Sequence, residues 1–291
     1  MKKIFWVASY PKSGNTWMRA ILSSLFFTED GQFNFNLLNY IINFDIPDKY
    51  KFVVSLGGDD FKKLHELPVI AKYWLEAQGR AEVGGDFAFF KTHSGNVTLN
   101  KHKYTSEDNV LGLIYLVRDP RDVVVSYAKY LDKSIDDIIS TITNKNAVAY
   151  GGLQGKKLYP FLLSSWDIHY RSWKALDVPR LVIKYESLLK ETRQTINQIA
   201  DFFIQNYGFD FKNIEMKINN IIKTTNFELL HANEKKLGFI ESPSFHSKKK
   251  PTDYFFRKGT NRQWEKELTG AQLNKIEESF ETTMKELGYL K

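Results

Sequence analysis

An α/β fold, with a mostly parallel central sheet flanked by helices, is predicted by three observations. Residues 3–9 carry the unbroken apolar run Ile4-Phe5-Trp6-Val7, the pattern of a strand buried on both faces. A short glycine-bearing loop follows, and then helical periodicity from Trp17 through Phe27. Further apolar runs of β-type residues occupy positions 87–92, 111–117 and 180–185, each followed by a polar turn and most by a helical pattern, as in a sheet of parallel strands joined by helices.

Taken in order, the first helix is expected to start on Asn15 or Thr16 as its N-cap. Helical periodicity returns at 123–131, close behind Pro120, and again at 162–176, 188–203 and 272–287. Three segments read as loops or lids: 31–67, 143–157 with Gly151, Gly152 and Gly155, and 236–254. Long irregular stretches in a compact domain are usually functional or mobile. At 291 residues the chain suits one large domain over 1–291, with no internal repeat or low-complexity tract.

Composition narrows the function. The chain is 43% hydrophobic and 26% charged, values of an ordinary globular protein, and its 41 Lys and Arg against 34 Asp and Glu give a net charge of +7, which favours an anionic partner. The basic run Lys248-Lys249-Lys250 precedes Pro251 in a polar stretch and reads as a solvated loop. There is no cysteine, which excludes disulfides, thiolate metal sites and a Cys nucleophile, and makes the cytoplasm the expected location. The first apolar run is too short for a signal-peptide core, and no run of 18 apolar residues occurs, so no membrane span is expected.

Four segments carry chemistry. The first is Tyr10-Pro11-Lys12-Ser13-Gly14-Asn15-Thr16-Trp17, between the first strand and the first helix. Successive amides in such a loop, backed by a helix N-terminus, make a concave anion site, with Lys12, Ser13, Asn15 and Thr16 adding donors. It is a phosphate loop in design, or an ordinary βα turn that carries a lysine, and it lacks the spacing G-x-x-x-x-G-K-[ST], since the lysine precedes the glycine. The second is Lys91-Thr92-His93 at a strand's C-terminal end, where α/β sheets present ligands and where a histidine can act as a general base, or be a structural hydrogen-bonding residue. The third runs from Tyr115 to Tyr127 through Arg118-Asp119-Pro120, with Arg118 and Ser126 placed to address a second phosphate, or Arg118 paired with a nearby Asp. The fourth, Phe256-Arg257-Lys258-Gly259, puts two cations before a glycine that admits close backbone approach, or is a basic surface loop.

In combination and order these segments resemble the cytosolic-type sulfotransferase family over nearly the whole chain. The resemblance implies the donor 3′-phosphoadenosine-5′-phosphosulfate (PAPS), the product 3′-phosphoadenosine-5′-phosphate (PAP), and no metal. It implies that Lys12, Ser13, Gly14, Asn15, Thr16 and Trp17 form a P-loop-like site for the 5′-phosphosulfate, with Lys12 facing the leaving oxygen. By the same match Arg118, Ser126, Arg257, Lys258 and Gly259 bind the 3′-phosphate, and Tyr185, Thr225 and Phe227 join Trp17 at the adenine. His93 would take the acceptor's proton, and Lys91 would contact the transferring group. Two departures stand out: after Gly259 the family's second glycine and following acid are missing from Thr260-Asn261-Arg262-Gln263-Trp264-Glu265, and the family's C-terminal dimer motif survives only as Thr269.

The expected reaction is therefore in-line sulfuryl transfer to a hydroxyl or amine of a small molecule, with no nucleic-acid or membrane partner. A P-loop-type small-molecule kinase shares the strand-loop-helix opening and would need ATP and magnesium. A non-catalytic polyanion-binding protein would rest on charge alone and show steep salt dependence. For the acceptor pocket the loops and their flanks supply Phe33, Phe35, Tyr40, Phe44, Trp74, Tyr150, Phe239 and Phe245 with Asp45, Asp59, Asp60 and Glu241, a set that suits either a flat aromatic or a cationic acceptor.

Overall fold

The computed structural model of the chain describes residues 3–81, 85–150, 158–239, 241–242 and 254–291. The strands are β1 (Ile4–Ser9), β2 (Ile42–Asn43), β3 (Ala88–Thr92), β4 (Thr98–Leu99), β5 (His102–Lys103), β6 (Val110–Val117), β7 (Val148–Ala149), β8 (Phe161–Leu162) and β9 (Arg180–Lys184). Between them lie the helices α1 (Asn15–Phe27), α2 (Phe52–Ser55), α3 (Leu67–Ile70), α4 (Trp74–Gly79), α5 (Pro120–Leu131), α6 (Ile135–Thr143) and α7 (Trp166–Lys174). After β9 come α8 (Tyr185–Lys190), α9 (Thr192–Tyr207), α10 (Ile214–Thr224), α11 (Phe227–Leu237), α12 (Trp264–Glu267) and α13 (Gly270–Glu286).

Five strands form one parallel sheet in the order β2-β3-β1-β6-β9. The chain leaves β1 toward β2 and β3 and returns on its other side with β6 and β9, so β1 sits where the winding reverses, the place at which such sheets bind ligands. Alternation along β1 divides the core. Phe5 and Val7 pack with α1, α9 and α10 through Met18, Ile21, Ile199, Phe203 and Ile218. Ile4, Trp6 and Ala8 face the other side, against α5, α6, α7 and α13. There Trp6 lies within 5.3–6.2 Å of the Phe44, Phe90, Tyr104 and Trp173 rings. Truncating so central a ring to alanine costs about 3–5 kcal/mol in a close-packed core.

Several expectations change in detail. The helix expected over 162–176 begins only at Trp166, because Phe161–Leu162 pairs with Val148–Ala149 as a short antiparallel ladder and Ser164 turns the chain with φ +60. The helix expected over 188–203 is two, α8 and α9, broken at Glu191. The stretch 31–67 is not irregular throughout: it holds the 3₁₀ turns Phe35–Tyr40, Pro47–Tyr50 and Asp60–Lys63 as well as β2 and α2. Gly151, Gly152, Gly155, Phe245, the 248–250 lysines and Pro251 lie outside the described residues.

Candidate functional site

The first loop is shaped by two residues in the left-handed region, Lys12 (φ 66) and Gly14 (φ 96). At Gly14 a side chain is excluded twice over, because its Cβ would also lie 2.6 Å from the Tyr185 ring. Contrary to expectation neither Asn15 nor Thr16 caps α1: the cap position is Gly14, with no side-chain cap. Asn15 instead donates from Nδ2 to the Val7 carbonyl and to Ser9 Oγ, both at 3.1 Å, which ties the loop to β1. Among the described residues nothing accepts from the amides of Gly14 to Trp17, and the buried Ser13 Oγ also has no partner. This is a helix start left open to an anion.

Strand register sets the next group. Ala8 lies opposite Thr92, so His93 follows β3 directly beside Ser9. His93 Nδ1 is 2.8 Å from the Ser9 carbonyl oxygen, which can only accept, so Nδ1 carries the proton and Nε2 keeps its lone pair. Burial and the neighbouring Lys91 hold the imidazole well below its usual pKa, hence neutral near pH 7. Behind it, His169 Nε2 lies 3.1 Å from the His93 carbonyl and its Nδ1 2.8 Å from the Tyr115 hydroxyl. Burial lowers His169 to about 4, and its two contacts clamp the backbone of the base. Thr92 and Tyr104 hydroxyls donate to the buried Asp45 carboxylate at 3.0 and 3.1 Å. Burial raises Asp45 to about 6 against those bonds.

Cations surround this corner. The Lys12 ammonium lies 4.1 Å from the Tyr130 ring centroid and 4.3 Å from that of Phe255. Burial, then Arg118, Lys91 and Arg257, lower it to about 7. Arg118, at the end of β6, stacks 4.4 Å over Tyr185 and donates to the Lys12 carbonyl at 3.1 Å and the Thr260 carbonyl at 3.0 Å, while its Nε has no partner among the described residues. One guanidinium thus joins the first loop, the β6 end and the late loop. The nearest acid, Asp122, is 3.9 Å away, whereas Arg121 forms the close pair with Asp119 at 2.6 Å.

The late loop keeps its place without the missing family residues. Asp122 accepts from the amides of Arg262 and Gln263 at 2.7 and 2.8 Å, and Glu234 accepts from those of Phe255 and Phe256 at 2.6 and 2.9 Å. Gly259 (φ 57) lies flat on the Phe227 ring, where a Cβ would overlap it. Trp17 Nε1 donates to Thr225 Oγ1 at 3.3 Å, closing the aromatic side.

All of these segments meet at one cavity of about 1350 Å³. Of the residues singled out in the sequence, Lys12, Gly14, Asn15, Thr16, Trp17, Lys91, His93, Arg118, Ser126, Tyr185, Phe227, Arg257, Lys258 and Gly259 line it, whereas Ser13 and Thr225 lie behind the wall. Lys258 is half-exposed and 3.5 Å from Glu267. The acceptor list fares worse: Phe35, Tyr150, Phe239 and Glu241 line the cavity, but Phe33, Tyr40, Phe44, Trp74, Asp45, Asp59 and Asp60 do not. Phe44, Trp74 and Asp45 are core, Tyr40 stacks on Phe27, and Asp59 and Asp60 pair with Lys62 and Lys72. The sequence reading missed Arg19, Tyr130 and Phe255, whose roles arise from neighbours distant in the chain.

A family model described as "Sulfotransferase domain" matches residues 2–288. The chain belongs to the sulfotransferase family. Its reaction is PAPS-dependent sulfuryl transfer to a small-molecule acceptor. This sulfotransferase is 24% identical over 278 residues to a 3-alpha-hydroxysteroid sulfotransferase of Cavia porcellus, covering 95% of the chain and 82% of that protein. It is 26% identical over 276 residues to a flavonol 3-sulfotransferase of Flaveria bidentis, covering 93% and 78%. In fold it is similar to a mouse sulfotransferase complexed with PAP (18% identity, TM-score 0.55, covering 97% of this chain and 84% of that one). It is also similar to a retinol dehydratase in complex with androsterone and inactive cofactor PAP (20% identity, TM-score 0.62, covering 97% and 80%).

Proposed function

We propose that the cavity divides into a nucleotide half and an acceptor half that meet at His93 and Lys91, and that the acceptor is a small molecule with an apolar body and a reactive hydroxyl or amine. The observation that carries this is the pairing, in one cavity, of an uncapped helix start with an imidazole whose Nε2 is free to accept a proton.

The residues fit the donor chemically. The open amides of α1, Ser13 Oγ and Arg118 Nε, which have no partner among the described residues, are donors that anionic oxygens would satisfy. Bound PAPS supplies an activated sulfuryl group. In this reading Lys12, Ser13, Gly14, Asn15 and Thr16 hold the 5′ end, while Arg118, Ser126, Arg257, Lys258 and Gly259 hold the 3′-phosphate. Trp17, Tyr185, Thr225 and Phe227 enclose the base. His93 Nε2 would take the acceptor's proton as the acceptor oxygen or nitrogen bonds to sulfur and the donor's bridging S–O bond breaks to release PAP, with Lys12 and Lys91 placed to balance the charge that the leaving and sulfuryl oxygens gain. Because burial lowers Lys12 to about 7, an arriving anion also restores its proton, so it is charged when needed. The acceptor half is lined by Ile42, Ile46, Tyr127, Val148, Tyr150 and Phe161, which supports an apolar acceptor body. No helix among the described residues is long and apolar enough to cross a membrane, and a cytoplasmic location accords with the cysteine-free composition.

Thermal unfolding with PAP, with ADP, and with ATP plus magnesium tests the donor. At a hundredfold excess over Kd a ligand adds about 2.7 kcal/mol, a shift of several degrees for a chain of this size. Stabilisation by PAP alone is expected. Stabilisation only by ATP with magnesium would overturn the reading in favour of a kinase.

A further inference from the structure

Glu241 belongs to none of the four segments, yet its carboxylate lies among the groups assigned above to the donor's reactive end. Oε1 accepts from Arg19 Nη1 at 2.6 Å, and Oε2 accepts from Thr16 Oγ1 at 3.2 Å and lies 3.6 Å from Lys91 Nζ. Arg19 is a prebuilt anchor, buried in α1, with Nε donating to the Ile41 carbonyl at 2.7 Å and Nη2 to the Leu38 carbonyl at 3.0 Å. Burial opposes ionisation of Glu241, but Arg19, Lys91 and Thr16 outweigh it and hold the carboxyl well below its usual range.

A counter-ion to Arg19 alone would need only Oε1. Here the second oxygen reaches a hydroxyl in the first turn of α1 and the lysine two residues before His93. An anion that meets Thr16 and Lys91 together stands where an incoming sulfuryl group would find its first donors. Two negative groups that draw on the same hydroxyl and the same ammonium repel each other, so one must leave.

Resting on the donor reading above, we infer that Glu241 is a specificity-determining residue whose carboxylate substitutes for the donor's sulfuryl group on Thr16 and Lys91. The desulfated nucleotide then binds with Glu241 in position, and the sulfated one binds only by displacing it. Arg19 retains the displaced carboxylate through Nη1, and transfer of the sulfuryl group to the acceptor lets Glu241 return.

Calorimetric Kd values for PAPS and PAP, measured on the full chain and on Glu241→Gln without acceptor, test this. The neutral amide should tighten PAPS about tenfold and leave PAP within about twofold. Equal changes for both nucleotides, or none for either, would reduce Glu241 to a structural counter-ion of Arg19. Amide exchange in the wild-type peptide that carries Glu241 needs no variant: it should rise with PAPS and not with PAP, and an identical response to both would overturn the inference. If neither nucleotide binds the wild type, the donor reading fails and takes this inference with it; if PAP binds and discrimination is absent, this inference fails alone.

Discussion

The two halves proposed for the cavity are built by different means. Most of the proposed nucleotide half stands on regular structure, the ends of β1, β3 and β6 and the start of α1, held by register and by bonds from Asn15 and Arg118, and the irregular late loop is tied to it through Arg118 and Asp122. The acceptor half is assembled from 3₁₀ turns, two-residue strands and helix ends, through Phe35–Tyr40, Pro47–Tyr50, Val148–Ala149 and Phe161–Leu162. A site that must present amides and cations to fixed phosphate oxygens needs rigid placement. A wall that accommodates one acceptor among many can be made from short elements that change independently of the sheet.

Three substitutions would break or sharpen this contrast. The largest effect belongs to the meeting point. His93→Ala should lower kcat by about 10²–10⁴-fold while PAP affinity stays within error, because the base acts on the acceptor and not on the nucleotide. Single-turnover kinetics with nucleotide titration read both quantities, and normal turnover would remove His93 from the mechanism.

Next in size is the nucleotide half. Arg118→Lys keeps the charge but loses the fork that joins the Lys12 and Thr260 carbonyls, so PAP affinity should fall by roughly 10–100-fold. Unchanged affinity would mean that the three segments hold together without it.

The smallest effect lies in the acceptor half. Tyr150 lines the cavity yet is 73% exposed, so Tyr150→Ala should change the acceptor's KM by a few-fold, roughly 1 kcal/mol or less, with PAP affinity intact. An acceptor screen on both proteins checks it. A loss of nucleotide binding here would show that the halves are coupled, against the division drawn above.

Local chemistry made much of the fold legible. Unbroken apolar runs announce strands buried on both faces, and the helical stripe after Gly14 announces α1, because these patterns depend on near neighbours in sequence. The helices α10 and α11 are not legible in the sequence. Ile214, Ile218 and Ile221 do repeat at helical spacing, but Asn219, Asn220 and the β-branched residues among them weaken the local signal, and packing on the Phe5 face supplies what propensity lacks.

The site divides the same way. The sequence by itself determined the chemistry at the strand ends: a loop of amides and Lys12, the Lys91-Thr92-His93 triplet, and Arg118 before a proline-started helix. Each is a short string whose spacing already implies its geometry. Tertiary structure alone decided the rest. It sent Phe44, Trp74 and Asp45 into the core while Tyr150 and Phe239 went to the cavity, set Lys12 between Tyr130 and Phe255, and brought Glu241 to Arg19 across 222 positions of chain. An aromatic or an acid in a long loop carries no periodicity to reveal which way it faces. Its neighbours are chosen by burial and by whichever charge must be neutralised, and those are properties of the folded chain.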